Sequence, residues 1–259
     1  MQVPETVMVP AGAFLFGVPP EQRIYAEEAD RQRIDLPAFR VGRTPVTVEQ
    51  YRAFVLAGGY TEPAYWSAAG WRWRIAKGVT QPAEWENPVW AGQHDLPVGG
   101  VSWYEAYGYT QWLSARIGEA YRRPYEAEWE KAARGTDGRL FPWGDTYQPG
   151  YANVNEVHDG LGQRDMQRTS PVGQFPQGVS PYGTLDMVGN VQEWCGSAWR
   201  DPYVYPEAVE DVDYPAYALR GGAWYLRPKS SRIPNRVAFG PRFRNTGIGF
   251  RVIYTSFTG

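Results

Sequence analysis

The sequence predicts an irregular α+β fold with about three helices, short antiparallel strands and little regular secondary structure. The chain has 259 residues, among them 12 Trp, 18 Tyr, 29 Gly and 22 Pro. Aromatic side chains anchor hydrophobic cores, whereas glycine and proline interrupt regular runs. The composition therefore favours many short elements joined by turns. No internal repeat or linker divides the chain, and we expect one domain over residues 1–259.

The first elements are two strands, a third strand and a helix. Residues 6–17 run apolar around a Pro-Ala-Gly interruption, which indicates a hairpin. The segment RIDLPAF, residues 33–39, is expected to form another strand. The first helix is predicted over residues 47–57, because Thr47 and Gln50 have the spacing of an N-terminal capping box and apolar side chains fall on one face.

The middle of the chain has one long loop and two helices. Residues 60–98 contain five tryptophans that fit no period, and we expect them to pin this loop to the domain surface. The second helix, residues 102–117, starts with another capping-box pair, Ser102 and Glu105. A third helix is predicted over residues 126–134. Strands over residues 218–224 and 248–256 then enclose an irregular, arginine-rich segment.

Charge is distributed unevenly along the chain. The net charge is −2, but no acidic residue follows Asp213, whereas eight arginines and lysines do, so residues 1–213 carry −10. An arginine side chain has several donors and can bind carboxylates and loop carbonyls at once. We therefore expect these arginines to pair with the acidic part of the chain. A nucleic-acid partner, which would need an exposed basic patch with stacking aromatics, is not expected.

The cysteine and histidine content excludes several classes of site. A lone cysteine, Cys195, allows neither an internal disulfide nor a multi-cysteine metal site. An iron triad of His94, His158 and a carboxylate remains arithmetically open, but two surface histidines are the favoured interpretation. Nothing resembles a nucleophile elbow. The sequence has neither a signal-peptide pattern nor an apolar run of the ~18 residues that a spanning helix needs, so a cytoplasmic protein without membrane contact is expected.

Four motifs stand in a fixed order along the chain. They are PVTVEQYRAF at 45–54, VSWYEAYGYTQWLSARIGEAYRRPYEAEWEKAARG at 101–135, LDMVGNVQEW at 185–194, and LRGGAW at 219–224 with GIGFRV at 247–252. Together they resemble the formylglycine-generating enzyme family, also called the sulfatase-modifying factor domain. This resemblance covers nearly the whole chain and implies that family's variant of the C-type lectin fold.

The resemblance implies two kinds of catalytic metal site, and the sequence lacks the residues of both. Formylglycine-generating enzymes place two copper-binding cysteines in the closing stretch, where this chain reads WYLRPKSSRIP; Cu(I) requires soft thiolate ligands. The related ergothioneine-type sulfoxide synthases bind iron with three histidines, and this chain has two. No catalytic residue and no catalytic cofactor are therefore predicted. A metal-dependent oxidoreductase with an unrecognised site is the alternative.

The closing stretch, residues 219–252, also resembles the variable proteins of diversity-generating retroelements. In that family, the positions between spaced scaffold residues are diversified to form a binding surface. The sequence therefore predicts a non-catalytic ligand-binding protein, with a protein as its ligand because aromatic and arginine side chains suit protein recognition. The predicted binding residues are Tyr225, Leu226, Pro228, Ser230, Ile233, Asn235, Val237, Phe239, Gly240, Phe243, Asn245 and Thr246.

The family resemblance further implies structural calcium. Its enzymes bind Ca²⁺ through a segment similar to LDMVGNVQEW and through a second one similar to residues 152–154. Hard cations of this kind prefer oxygen ligands. Carried over residue by residue, the expected metal-binding positions are Asp186, Gly189, Val191, Glu193, Asn153 and Val154. Without a metal, Asp186 and Glu193 would cap and pair locally.

Overall fold

The computed structural model of the protein describes residues 2–207 and 214–254. In these ranges the chain forms two four-stranded sheets, one two-stranded sheet and five α-helices. The strands are β1 Thr6–Val9, β2 Gly12–Phe16, β3 Gln32–Leu36, β4 Phe39–Gly42, β5 Tyr121–Arg122, β6 Gln192–Ala198, β7 Tyr217–Arg220, β8 Arg236–Phe239, β9 Ile248–Gly249 and β10 Ile253–Tyr254. The helices are α1 Val48–Leu56, α2 Ala68–Lys77, α3 Pro88–Ala91, α4 Trp103–Ile117 and α5 Glu126–Arg134. The predicted α+β class, with short and mostly antiparallel strands, is confirmed.

The first sheet joins the two ends of the chain, in the order β1-β4-β10-β5. Strand β1 pairs antiparallel with β4, and β10 pairs with both β4 and β5. The predicted hairpin over residues 6–17 is wrong, since β2 pairs with β3 in a sheet of its own. The pairing of β1 is decided by a partner more than 30 positions along the chain, which local turn signals do not reveal.

The helices with capping signals form where the sequence predicts them. The Thr47 hydroxyl accepts the Gln50 N–H at 3.2 Å, while the Gln50 side chain accepts the Thr47 N–H at 3.0 Å. Ser102 and Glu105 make the equivalent pair of bonds at the start of α4. Each box satisfies backbone donors that the first helical turn leaves free. Helix α5 also occupies its predicted range, from 126 to 134.

Helix α2 was not predicted and lies within the expected long loop. The Ser67 hydroxyl caps it by accepting the Gly70 N–H at 3.0 Å. Gly70 weakens the helical signal, because glycine is unfavourable inside helices. A Cβ atom there would lie 3.0 Å from the ring of Tyr104, so any larger residue would crowd the contact between the two helices. The expected pinning is confirmed for Trp66 and Trp73, which are both buried in the core.

The second four-stranded sheet, β8-β7-β6-β9, carries the closing stretch of the chain. Strand β6 is buried along its whole length, and it pairs antiparallel with β7 and parallel with β9. Strand β8, in the segment expected to be irregular, pairs antiparallel with β7. No helix within the described ranges is long and apolar enough to cross a membrane. The cytoplasmic location stays a prediction.

Candidate functional site

Five arginines of the closing stretch form buried or largely buried ion pairs with glutamates of the acidic part, which confirms the expected pairing. We call these residues the arginine network. The pairs are Arg220 with Glu126 and Glu130, Arg232 with Glu28, Arg236 with Glu126, Arg244 with Glu105, and Arg251 with Glu193. Arginine suits this role because its planar fork binds a carboxylate with two parallel bonds.

Helix α5 supplies the central carboxylates of this network. Both oxygens of Glu126 accept from Arg236, at 2.6 and 2.7 Å, and one also accepts from Arg220 at 2.8 Å. Burial by itself would raise the pKa of Glu126, but Arg236 and Arg220 outweigh it and hold the pKa below its usual value. Glu126 is therefore a permanent anion that fixes β7 and β8 against α5.

The arginine network also positions two surface loops. The Arg236 guanidinium donates to the backbone carbonyls of Glu27 at 3.1 Å and of Arg200 at 3.2 Å. It lies 4.3 Å from the centroid of the Trp199 ring. Arg232 donates to the carbonyl of Gln22 at 3.2 Å and to the Glu28 carboxylate at 2.6 Å. These bonds hold the loops before β3 and after β6 beside β8.

The two loops and β8 enclose a surface cleft of about 570 Å³, which we call the acidic cleft. Its walls are Tyr25, Glu27, Gln192, Trp199, Asp201, Leu226, Ser230, Asn235, Val237, Ala238 and Phe239. Glu27 and Asp201 are exposed, and neither has an ion-pair partner within the described ranges. None of these lining residues is a lysine or arginine. The cleft thus combines two unneutralised carboxylates with aromatic walls.

The structure brings five of the twelve predicted binding residues together in the acidic cleft: Leu226, Ser230, Asn235, Val237 and Phe239. Gly240 and Phe243 line a different cavity, on the far side of the turn after β8. Sequence patterns did not identify Glu27, Trp199 and Asp201, which come from distant segments. For Glu27, the available signal in the sequence was the cluster of acidic residues that begins with it.

The other predicted binding residues have different surroundings. Ile233 is completely buried in the core and Pro228 is buried, so neither belongs to an exposed surface. Tyr225 is 36% exposed and packs edge-on against Trp224 at 5.0 Å. The Asn245 side chain accepts the Gly247 N–H at 2.8 Å and shapes the turn before β9. The backbone carbonyl of Thr246 packs against Gly99, and a Cβ atom at position 99 would clash with its oxygen.

The residues expected to bind calcium meet at one point of the fold. Gly189 and Asn153 form a parallel bridge, so their two segments are adjacent. However, both Glu193 oxygens accept from Arg251 at 2.6 Å, and one also accepts from the Trp129 indole at 2.9 Å. The local pairing expected for Glu193 without a metal is therefore present. Calcium binding at Asp186, Gly189, Val191, Glu193, Asn153 and Val154 stays a prediction.

We expect Asp186→Asn to stabilise the protein at neutral pH. Burial raises the pKa of Asp186 to about 6, partly opposed by the Gly173 N–H and by Arg251. A carboxyl group whose pKa is higher in the folded state contributes stability below its unfolded pKa of about 4, and loses it as pH rises through 6. The neutral amide removes that loss, which is about 3 kcal/mol at pH 7.5. Asparagine also tolerates the positive φ of 56° at this position.

Urea unfolding of both proteins at pH 4.5 and pH 7.5 tests this expectation. The advantage of Asp186→Asn should be large at pH 7.5 and smaller than about 1 kcal/mol at pH 4.5. Asp137→Asn is the opposite control, because Arg139 lowers the pKa of that exposed carboxyl. Equal effects of Asp186→Asn at the two pH values would show that burial does not raise the pKa of this carboxyl.

The described residues do not fit the catalytic metal sites of the family. In residues 2–207 and 214–254, no group of three or more His, Cys, Asp and Glu side chains is placed to hold a metal ion. His94 and His158 are both exposed. Burial raises the pKa of the Cys195 thiol well above its usual value, so this residue is not a thiolate ligand at neutral pH.

The fold and the arrangement of its motifs define a protein of the formylglycine-generating-enzyme type within the C-type lectin fold. Residues 1–256 match the sulfatase-modifying factor enzyme 1-like domain, and the chain belongs to this family. A hercynine oxygenase of Mycolicibacterium smegmatis is 35% identical over 267 residues, covering 93% of this chain and 57% of the relative. The chain spans about half the length of the first curated relatives that it matches.

Two solved structures share the fold over nearly their whole length. PvdO from Pseudomonas aeruginosa has a TM-score of 0.74 and 27% identity, covering 98% of this chain and 95% of that one. Variable protein 1 of Treponema denticola has a TM-score of 0.69 and 21% identity, covering 97% and 95%. At 21% identity, the likeness to the variable protein shows the fold alone.

The prediction of a non-catalytic retroelement variable protein is wrong. Hercynine oxygenases are 34–36% identical to the chain over most of its length, whereas the variable protein shares little beyond the fold. The predictions that the chain is not an enzyme and has no catalytic cofactor are wrong for the same reason. The relatives that overturn these predictions are named as oxygenases, and oxygen chemistry requires a metal or an organic cofactor. A protein ligand and the absence of a nucleic-acid partner stay predictions.

Proposed function

We propose that this chain is the substrate-binding domain of an oxidoreductase and that the acidic cleft receives a cationic substrate. The observation that carries the proposal is the position of the cleft. Its residues Leu226 and Ser230 lie in the segment WYLRPKSSRIP, which corresponds to the stretch where formylglycine-generating enzymes place their reactive cysteines. This correspondence, with the access of the cleft to solvent, supports the cleft as the place where the substrate binds.

The charge of the cleft supports a cationic substrate. Glu27 and Asp201 are exposed, and neither forms an ion pair with any described residue. Carboxylates of one sign in a cleft with low-dielectric walls attract and concentrate ligands of opposite charge. Tyr25, Trp199 and Phe239 offer ring faces, against which a substituted ammonium group or a guanidinium group can pack.

The chain's own residues bind and orient the substrate. Arg236 holds the backbone at Glu27 and Arg200, beside the cleft, and the Tyr25 hydroxyl makes a 2.7 Å hydrogen bond with the Ser230 hydroxyl in its wall. Such fixed walls reduce the ordering that binding requires. A redox metal acting on the bound substrate would need ligands other than those that the described residues supply.

The first test measures binding of a cationic aromatic probe, benzyltrimethylammonium, by isothermal titration calorimetry. We expect saturable binding that weakens about tenfold in Glu27→Gln and in Asp201→Asn, which corresponds to about 1.4 kcal/mol for each. Glu49→Gln, which removes an exposed carboxylate of α1 outside the cleft, should bind as the wild type does. Neutral benzyl alcohol should bind much more weakly than the ammonium probe.

The second test measures binding of hercynine, the compound for which the relatives are named, by the same calorimetry. We expect saturable binding that is lost in the Glu27→Gln, Asp201→Asn double variant and unchanged in Glu49→Gln. Binding of hercynine or of the probe that survives in the double variant would refute the cleft, and absence of hercynine binding to the wild type would refute this substrate class.

A further inference from the structure

A second cavity in the described part of the chain lies outside the acidic cleft and is larger than it. It has a volume of about 800 Å³ and is formed by one face of α2, Tyr104 at the start of α4, residues 214–215, and the turn over residues 240–243. We call it the basic cavity. Of the predicted binding residues, only Gly240 and Phe243 line it.

The charge of this cavity is opposite to that of the acidic cleft. Arg72 and Lys77 project from α2 and Arg242 from the turn after β8, whereas no carboxylate is among the described lining residues. All three cations are exposed, and none has an ion-pair partner in the described ranges. The neighbouring Arg244, in contrast, is paired with Glu105. Three unpaired cations on two sides of one cavity are therefore available to an anion.

The floor of the basic cavity is aromatic. Trp73 and Tyr104 are 7% and 3% exposed, and their ring centroids lie 5.7 Å apart at an angle of 40°. The exposed Phe243 forms part of the rim. Buried ring faces beside a concentration of positive charge suit a ligand with a flat apolar part and an anionic group.

We infer that the basic cavity is a second ligand site, which binds a small aromatic anion by packing its ring on Trp73 and Tyr104 and pairing its charge with Arg72, Lys77 and Arg242. The anionic group could be a carboxylate or a phosphate, since both accept several hydrogen bonds from arginine and lysine. The basic cavity differs from the acidic cleft in the sign of its charge and in the class of ligand that it would bind.

One aromatic pair separates the two sites. Phe239, in the wall of the acidic cleft, stacks on Phe243, in the rim of the basic cavity, with ring centroids 4.3 Å apart and an angle of 14°. The two cavities are therefore neighbours on either side of the end of β8. A ligand in one can contact the same stacked pair as a ligand in the other.

The experiment titrates the full chain with 1-naphthoate and 1-naphthyl phosphate, and compares them with neutral 1-naphthamide, acetate and inorganic phosphate. We expect saturable binding of one or both aromatic anions, at least tenfold tighter than that of 1-naphthamide or of the ring-free ions. Arg242→Gln and Lys77→Gln should each weaken this binding about five- to tenfold, and added salt should weaken it further. The preferred anion identifies the headgroup.

Matched variants test whether the binding depends on the cations of the basic cavity. Arg116→Gln removes an exposed arginine of α4 outside the cavity and should bind 1-naphthoate as the wild type does. Asp201→Asn should also leave it unchanged, which distinguishes failure here from failure of the acidic cleft. Equal affinity for 1-naphthoate and 1-naphthamide, or equal losses in Arg116→Gln and Arg242→Gln, would overturn the inference. Absence of saturable binding would do the same.

Discussion

Replacing Arg220 by methionine is expected to lower the free energy of unfolding by about 3–5 kcal/mol, as is usual when one member of a buried ion pair is removed. The Arg220 side chain is completely buried and donates to Glu126 at 2.8 Å, to Glu130, and to the Ile233 carbonyl at 2.9 Å. Methionine fills similar space but leaves both carboxylates with one cation fewer. Equilibrium urea unfolding at pH 7 measures the effect.

Two further variants serve as controls for this measurement. Arg139→Met removes an exposed pair with Asp137 and should cost less than about 1 kcal/mol. Glu130→Gln in the wild-type background should also destabilise the protein, because it leaves the buried Arg134 and Arg220 with one carboxylate fewer. If Arg220→Met and Arg139→Met cost the same, the buried network would not hold the sheet to α5.

Gly189→Ala is expected to destabilise the protein by about 2–5 kcal/mol, from left-handed backbone strain and overpacking together. Gly189 has a φ of +78°, and a Cβ atom there would lie 2.2 Å from the Asn153 carbonyl oxygen and 2.7 Å from a Val154 methyl group. The obstacle includes backbone, so rotation of a side chain cannot remove it. Thermal unfolding and circular dichroism measure the loss.

Gly78→Ala is the matched control for this prediction. Gly78 follows α2 with a similar φ of +62°, but nothing lies within 4 Å of the position that its Cβ would occupy. Its substitution should therefore cost only the conformational strain, about 1 kcal/mol. Similar losses in both variants would show that strain alone matters and that the contact between Gly189 and Asn153 can relax.

The local sequence was sufficient to predict the helices whose first residues form their own capping hydrogen bonds. The capping boxes at Thr47 and Ser102 fix where α1 and α4 begin, since the bonds join residues three positions apart. Helix α2 was not predicted because its glycine and tryptophans follow tertiary packing against Tyr104. Strand β8 was not predicted for a similar reason: its four residues become a strand by pairing with β7.

The candidate site was predictable in part. The closing stretch supplied five residues of the acidic cleft, but its two carboxylates come from residues 27 and 201, which no local pattern connects. The predicted functional class was wrong. The absence of the known metal ligands is plain in the sequence, whereas its relationship to oxygenases is less evident there. The absence of one set of metal ligands excludes only the reaction that depends on those ligands. It does not decide whether the protein is an enzyme.

The sequence by itself determined the fold class and the family, and it predicted that the basic closing stretch pairs with the acidic part of the chain. Composition, motif order and charge are properties of the chain alone. Only the tertiary structure decided which glutamate each arginine meets and which carboxylates remain free. Arg236 pairs with Glu126, whereas Glu27 and Asp201 form no ion pair within the described residues and line the acidic cleft. Burial makes this difference, since a buried charge requires a partner within the protein and an exposed one is stabilised by water until a ligand binds.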